Sequence, residues 1–261
     1  MTASLTIVRT ERGVDDVCHP PTVEDDLRQA HALLRRLLDA EDRPGLVYGV
    51  MDDARALLAR SDRPRRASAA DLRYLRPMGN SATVNGATIE LASGDITTQT
   101  VDAIANAANA SLRGGGGVDG AIHRAAGPGL LDELRRRYPD GTPTGTAVAT
   151  DAHDLPSRWV LHAVGPVWRG GGHDEASLLA DAYRACLDLA DELGARSVAF
   201  PAISMGIYGY PPHPGARIAI RAVADHLAAH GTPELVRFVL FSDETYGRFA
   251  DALAELEAAT G

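Results

Sequence analysis

The rhythm of apolar positions changes near residue 80. Between Val23 and Glu41, Leu27, Ala30, Leu33, Leu34 and Leu37 recur every three to four residues, which predicts an amphipathic helix. Thr22 stands before it as an N-cap, and Glu24, Asp25 and Asp26 fall at the positive end of the helix dipole. Asp52 to Arg60 and Ala69 to Leu75 predict two shorter helices, joined by the polar, Pro-containing stretch Ser61 to Arg66. Residues 1–80 therefore read as a small helical N-terminal extension, expected to pack on a larger domain spanning 81–261.

From Ala82 onward, short apolar runs alternate with helical periods. Strands are predicted at Ala87 to Ala92, Val101 to Ala105, Trp159 to Val164, Ser197 to Phe200 and Leu235 to Phe241. Helices are predicted at Val118 to Ala126, Pro128 to Tyr138, Glu175 to Leu193, Pro214 to His230 and from about Glu244 to Ala259. Gly194 supplies a C-terminal stop, and Pro128 is tolerated in a first turn. Such alternation predicts an α/β domain whose mainly parallel sheet is covered on both faces. Ligands of these sheets bind at the carboxyl ends of the strands, so the loops there carry the candidate chemistry.

Composition narrows that chemistry. The 261 residues hold 26 basic and 35 acidic side chains, a formal net charge of −9, and every basic residue is Arg. Without Lys, the chain cannot be a Walker-type phosphate-loop enzyme, a pyridoxal-phosphate enzyme, a Schiff-base aldolase or a protein kinase. The acidic balance argues against extended nucleic-acid binding and against anionic membranes. The two cysteines, Cys18 and Cys186, cannot build a disulfide framework, so a reduced, cytoplasmic setting is expected. The first sixteen residues lack a basic start and an apolar core, and no signal peptide is expected. No apolar run approaches the roughly 20 residues of a membrane helix.

Three loops stand out. In the first, Asn106-Ala107-Ala108-Asn109 precedes Ser111-Leu112-Arg113, four glycines from Gly114 to Gly117, and Val118-Asp119-Gly120. Bare amides between a strand and a helix favour anions, phosphate above all. Gly115, Gly117 and Gly120 formally satisfy G-x-G-x-x-G. A dinucleotide dehydrogenase, however, wants those glycines directly after the strand and an acid at the next strand tip. Here Asn106 to Arg113 intervene, and Asp140 lies in a Pro/Gly turn. The second loop is Gly94-Asp95-Ile96-Thr97, where Asp95 can cap the following turn or accept from an exocyclic amine. The third, Pro201 to Pro211, offers the amides of Ser204 and Gly206 as a second phosphate cradle in a loop stiffened by aromatics and prolines.

Gly94-Asp95-Ile96-Thr97, Asn106 to Asn109, Gly114 to Gly120, Val164-Gly165-Pro166 and Ser204 to Tyr208 together resemble the macrodomain family. The similarity spans about Ile89 to Phe249. It is strongest to the branch of ADP-ribosyl hydrolases carrying the glycine-rich V-D-G loop. The resemblance implies a three-layer α/β/α fold with a central mixed, mainly parallel sheet. It also implies a cofactor-independent enzyme, expected as a monomer, that removes mono-ADP-ribose from acidic side chains of proteins and deacetylates O-acetyl-ADP-ribose. The alternative is a non-catalytic module that only binds ADP-ribose.

In the resemblance, Asp95 would take the adenine amino group with Ile96 beside it, and Phe241 would stack on the ring. The amides of Gly116, Gly117 and Val118 and those of Ser204, Met205, Gly206, Ile207 and Tyr208 would hold the two phosphates from opposite sides. Asn109 would orient the distal ribose, and Asp119 would position or activate a water. Met205 departs from the family's Ser-Thr-Gly and could alter the width of the pocket.

Other features point to structure. Cys18-His19 has no partner pair at zinc-finger spacing, and the catalytic loop is glycine where a related branch carries Cys/His ligands, so no metal is expected. His123 follows the V-D-G turn on a helix, where it could face the site but is rather expected to cap or pack; His162 is expected to be a satisfied core residue, and Cys186 to lie on the apolar stripe of its helix. Arg135-Arg136-Arg137 suits a solvated helix end.

Overall fold

The computed structural model describes residues 80–260. The helices expected at Val23–Glu41, Asp52–Arg60 and Ala69–Leu75 lie outside the described residues. In chain order the elements are β1 (Ser81–Val84), β2 (Ala87–Ser93), β3 (Ala103–Ala107), α1 (Gly117–Ala126), α2 (Pro128–Arg137), β4 (Ala147–Asp151), β5 (Trp159–Ala163), α3 (Glu175–Leu193), β6 (Ser197–Phe200), α4 (Pro212–His230), β7 (Leu235–Leu240) and α5 (Asp243–Thr260).

The seven strands form one sheet in the order β1-β2-β7-β6-β3-β5-β4. Its five central strands run parallel, and β1 and β4 add an antiparallel edge on either side. Successive residues of the central strands enter different cores. Leu161, Phe200 and Phe238 pack with Leu179, Tyr183, Val223 and Phe249 of α3, α4 and α5. Their neighbours Val160, Ala199 and Val239 pack with Ile122, Leu130 and Leu134 of α1 and α2. The period-2 alternation of a strand thus fills two apolar layers, as a three-layer α/β/α domain requires.

The expected elements of 81–261 recur with bounds shifted by two residues or fewer, except that β1 and β4 had not been anticipated. β1 joins β2 through Asn85-Gly86, both at positive φ (48° and 83°), a turn suited to a two-residue hairpin. The shift with consequences is in β3. Asp102 stays outside the strand, its carboxylate accepting from the amides of Arg196 and Ser197. The strand therefore runs on through Asn106, whose side chain is buried.

Candidate active site

The carboxyl ends of β2, β7, β6 and β3 open into a cleft of about 740 Å³, within the usual range for a small-molecule site. The lining includes all thirteen candidates: Asp95, Ile96, Asn109, Gly116, Gly117, Val118, Asp119, Ser204, Met205, Gly206, Ile207, Tyr208 and Phe241.

One wall is the loop after β3. Gly114 and Gly117 sit at φ of 77° and 61°, where a side chain is strained. A Cβ at Gly120 would fall 2.5 Å from the Gly115 carbonyl oxygen, so the third glycine lets α1 pack tightly on its own entry loop. Gly115, Gly116 and Gly117 remain exposed at the α1 N-terminus, the arrangement that favours an anion. Asn109 Nδ2 donates to the Gly114 carbonyl at 2.8 Å. A Cβ at Gly115 would stand 3.0 Å from Asp119 Oδ2 and 3.6 Å from Asn109 Nδ2, so those two side chains flank the same glycine.

Asp119 is 4% exposed. Its Oδ1 accepts from Asn106 Nδ2 at 2.7 Å and lies 3.3 Å from His123 Nε2. The chain of contacts continues behind Asn106, whose Nδ2 meets His162 Nδ1 at 3.2 Å, while His162 Nε2 meets Thr150 Oγ1 at 2.9 Å. Burial, with the nearby His123, pushes the His162 pKa down to about 3, so the ring is neutral. A carboxylate only accepts, so Asn106 presents its amino group to Asp119 and His162 Nδ1 must accept too. His162 then carries its proton on Nε2 and donates to Thr150. His162 is indeed a core residue, but it also orients the support of Asp119. His123, for which capping or packing was favoured over facing the site, touches the carboxylate itself.

The opposite wall is the loop after β6. Ser204 adopts φ of 67° and is buried, with Oγ lacking a hydrogen-bond partner. The chain at Gly165 passes so close that a Cβ there would fall 2.2 Å from that oxygen. The loop is braced at several points. Tyr183 Oη accepts from Ile203 N at 3.0 Å, Tyr210 N donates to Ser204 O at 2.9 Å, and Trp168 N donates to Tyr208 O at 2.9 Å. The segment bearing Trp168 is gathered in turn by buried Glu175, which accepts from the amides of Arg169, Gly171 and His173. Desolvation works to raise the Glu175 pKa, but these backbone donors outweigh it and hold it at about 2. Desolvation, followed by the charge of Asp119, raises the Tyr208 phenol.

Ile207 is 76% exposed and reaches across the cleft, where a Cβ at Gly116 would meet its Cδ1 at 3.0 Å. The two walls therefore nearly touch over the space between them. Met205 ends against Gly215 of α4, where a Cβ would lie 2.8 Å from Met205 Cε. The departure at this position is absorbed by a helix glycine. At the far end of the cleft, Asp95 does cap the turn Ile96–Thr98, its Oδ1 accepting from both Thr97 N and Thr97 Oγ1 at 2.8 Å. Phe241, one residue past β7, is 95% exposed, a large apolar surface that suits a flat ring.

No role was expected here for His162 or Arg124, and Asn106, although part of the Asn106–Asn109 motif, was not expected to hold Asp119. Arg124 lines the cleft from α1. It lies seven residues past Gly117, two helical turns into α1, a spacing that could have flagged it.

The family model described as "Macro domain" matches residues 105–219. A macro domain-containing protein of Caldanaerobacter subterraneus subsp. tengcongensis is 53% identical over 171 residues, 65% of this chain and 97% of that protein. An O-acetyl-ADP-ribose deacetylase of Salmonella gallinarum is 54% identical over 169 residues, 64% of this chain and 94% of its own. Among solved structures, the Oceanobacillus iheyensis macrodomain with ADP superposes with a TM-score of 0.65 at 42% identity, over 69% of this chain and 96% of that one. The Trypanosoma brucei macrodomain in complex with ADP-ribose gives 0.60 at 39%, over 73% and 78%.

Proposed function

The chain belongs to the macrodomain family, and from that membership we propose that it is a hydrolase acting at the distal ribose of ADP-ribose. It removes mono-ADP-ribose from acidic side chains of proteins and deacetylates O-acetyl-ADP-ribose. The observation that carries this reading is the buried Asp119 at the first turn of α1, held by Asn106 and His123 and flanking Gly115 together with Asn109. A module that only bound its ligand would have no need to bury and brace a carboxylate at the wall of its cleft.

In this mechanism Asp95 takes the adenine amino group, Ile96 and Phe241 hold the ring, and the amides of Gly116–Val118 and Ser204–Tyr208 hold the two phosphates. Such an acidic chain can hold a diphosphate because backbone amides and a helix end act locally, whatever the net charge. Asn109 orients the distal ribose. Asp119 and a substrate phosphate oxygen align a water. The water oxygen bonds to the anomeric carbon, the bond from that carbon to the protein carboxylate breaks, and the carboxylate leaves while the water proton passes to the basic oxygen. On O-acetyl-ADP-ribose the same water adds to the acetyl carbon, and the ribose oxygen leaves with the proton. The relative named O-acetyl-ADP-ribose deacetylase supports this second reaction.

Asp119→Ala is expected to bind ADP-ribose by calorimetry while losing at least about 100-fold in release from an Asp/Glu-modified protein, the usual contribution of a positioned base. Wild-type turnover by the variant would remove Asp119 from the mechanism. Binding without release by the intact protein would favour the ADP-ribose-binding module, and failure to bind ADP-ribose would overturn both readings.

A further inference from the structure

In the last turns of α4, about 20 Å along the helix from its start at the cleft loop, His226 and His230 share a face at i, i+4 spacing. Asp191 approaches them from the end of α3. One ligand atom from each of the three lies within 4.8 Å of the others. His226 is buried, with its side chain 4% exposed, and its Nε2 lies 2.9 Å from Asp191 Oδ2. Its Nδ1 faces Asp188 Oδ1 at 3.6 Å. His230 stacks on it with ring centroids 4.4 Å apart.

An ion pair accounts for Asp191 and His226 but not for the rest of the cluster. The other Asp191 oxygen, Oδ1, is buried with no hydrogen-bond partner, a costly state for a carboxylate. His230 Nδ1 lies 2.9 Å from the His226 carbonyl oxygen. A carbonyl only accepts, so this nitrogen carries a proton and Nε2 is the ring atom left to ligate. His226 donates from Nε2 to Asp191, with Asp188 beyond Nδ1, so a cation bound there would take the place of the Nε2 proton. Imidazoles that ligate metals are oriented by such a carbonyl or carboxylate behind the ring. Asp188 and Asp191 both lie against the His226 ring, and a divalent cation bound there complements their charge.

We propose that Asp191, His226 and His230 bind a divalent transition-metal ion of the zinc type and so tie the end of α3 to the end of α4. Two imidazoles and a carboxylate suit Zn²⁺ rather than Mg²⁺ or Ca²⁺. With metal–ligand bonds of about 2.0–2.2 Å, tetrahedral ligands stand about 3.3–3.5 Å apart, so small side-chain rotations close the cluster on the ion. Three protein ligands leave a fourth position for water. Asp188 and the His226 carbonyl orient the rings.

The test uses the full chain, freed of metal by chelation and titrated with Zn²⁺ by calorimetry and with Co²⁺ by visible absorption. The intact protein is expected to show a bound-Co²⁺ absorption band and Zn²⁺ binding that raises its melting temperature. His230→Gln, at an exposed position where folding is not at stake, is expected to lose the band and at least about tenfold in Zn²⁺ affinity. Asp188→Asn should weaken Zn²⁺ by about 10–100-fold, as loss of an orienting partner does. Absence of the band in the intact protein would overturn the proposal, as would an unchanged spectrum and affinity in His230→Gln.

Discussion

Asp119, Asn109 and Asn106 all sit inside short motifs, but the sequence does not show that Asn106 holds Asp119 or that His162 stands behind Asn106. Asn106 precedes Asp119 by thirteen positions and His162 follows Asn106 by fifty-six. Nothing local requires them to meet. Their contact follows from β3 pairing with β5, which sets Asn106 opposite His162. The buried neutral ring has a consequence for pH. The unfolded chain protonates His162 below its ordinary value of 6.5, while the folded chain resists until about 3. Stability therefore falls as pH drops from 6.5 toward 3, by up to about 1.4 kcal/mol per pH unit for this one proton. His162→Gln is expected to flatten the curve by that amount when unfolding by urea is compared at pH 7, 6 and 5. Parallel curves for the two proteins would show that His162 does not keep its neutral state.

At the scale of elements, the loops after β3 and β6 depend on glycines in two distinct ways. Some are bare so that amides can face the cleft, while others are bare because a neighbouring chain occupies the space. Gly206 is of the first kind, with nothing within 4 Å of a built Cβ, and Gly165 is of the second, lying against Ser204 and Ile203. Gly165→Ala is expected to lower stability by about 1–3 kcal/mol through overpacking and to weaken ADP-ribose binding by displacing the Ser204 turn. Gly206→Ala should stay within about 0.5 kcal/mol of wild type. Thermal unfolding with and without ADP-ribose separates the two, and equal losses would show that the Ser204 turn tolerates the extra carbon. The unanticipated elements, β1 and β4, are the sheet's two edges. Both are antiparallel, and polar residues interrupt their apolar positions, Ser81 and Thr83 in β1 and Thr150 and Asp151 in β4, so neither presents the continuous apolar run that marks the central strands. Asn85-Gly86 was the available signal for β1.

Over the whole molecule, the described residues cover both sheet faces with helices and include all thirteen candidate residues of the cleft. The relative from Caldanaerobacter is matched along 97% of its length by 65% of this chain. We therefore propose residues 81–261 as a self-sufficient unit and residues 1–80 as an addition outside the catalytic chemistry. The 81–261 fragment is expected to unfold cooperatively and to bind ADP-ribose within about threefold of the full chain. A fragment that aggregates, or that binds more than tenfold more weakly, would assign residues 1–80 a part in folding or in the site.

By itself the sequence determined the α/β class, the order of the central strands along the chain, and the three loops that carry twelve of the thirteen cleft residues, Phe241 being named only by the family resemblance. Periodicity, helix stops and glycine runs are local properties, and they act through neighbours a few residues away. The absence of Lys likewise restricted any anion site to Arg, amides and helix ends. Tertiary structure alone decided the strand order β1-β2-β7-β6-β3-β5-β4, the support of Asp119 by Asn106, and the meeting of Asp191 with His226, thirty-five residues apart. Those outcomes depend on which polar groups are taken out of water together. A buried carboxylate or imidazole must find its partner wherever the packed elements bring one.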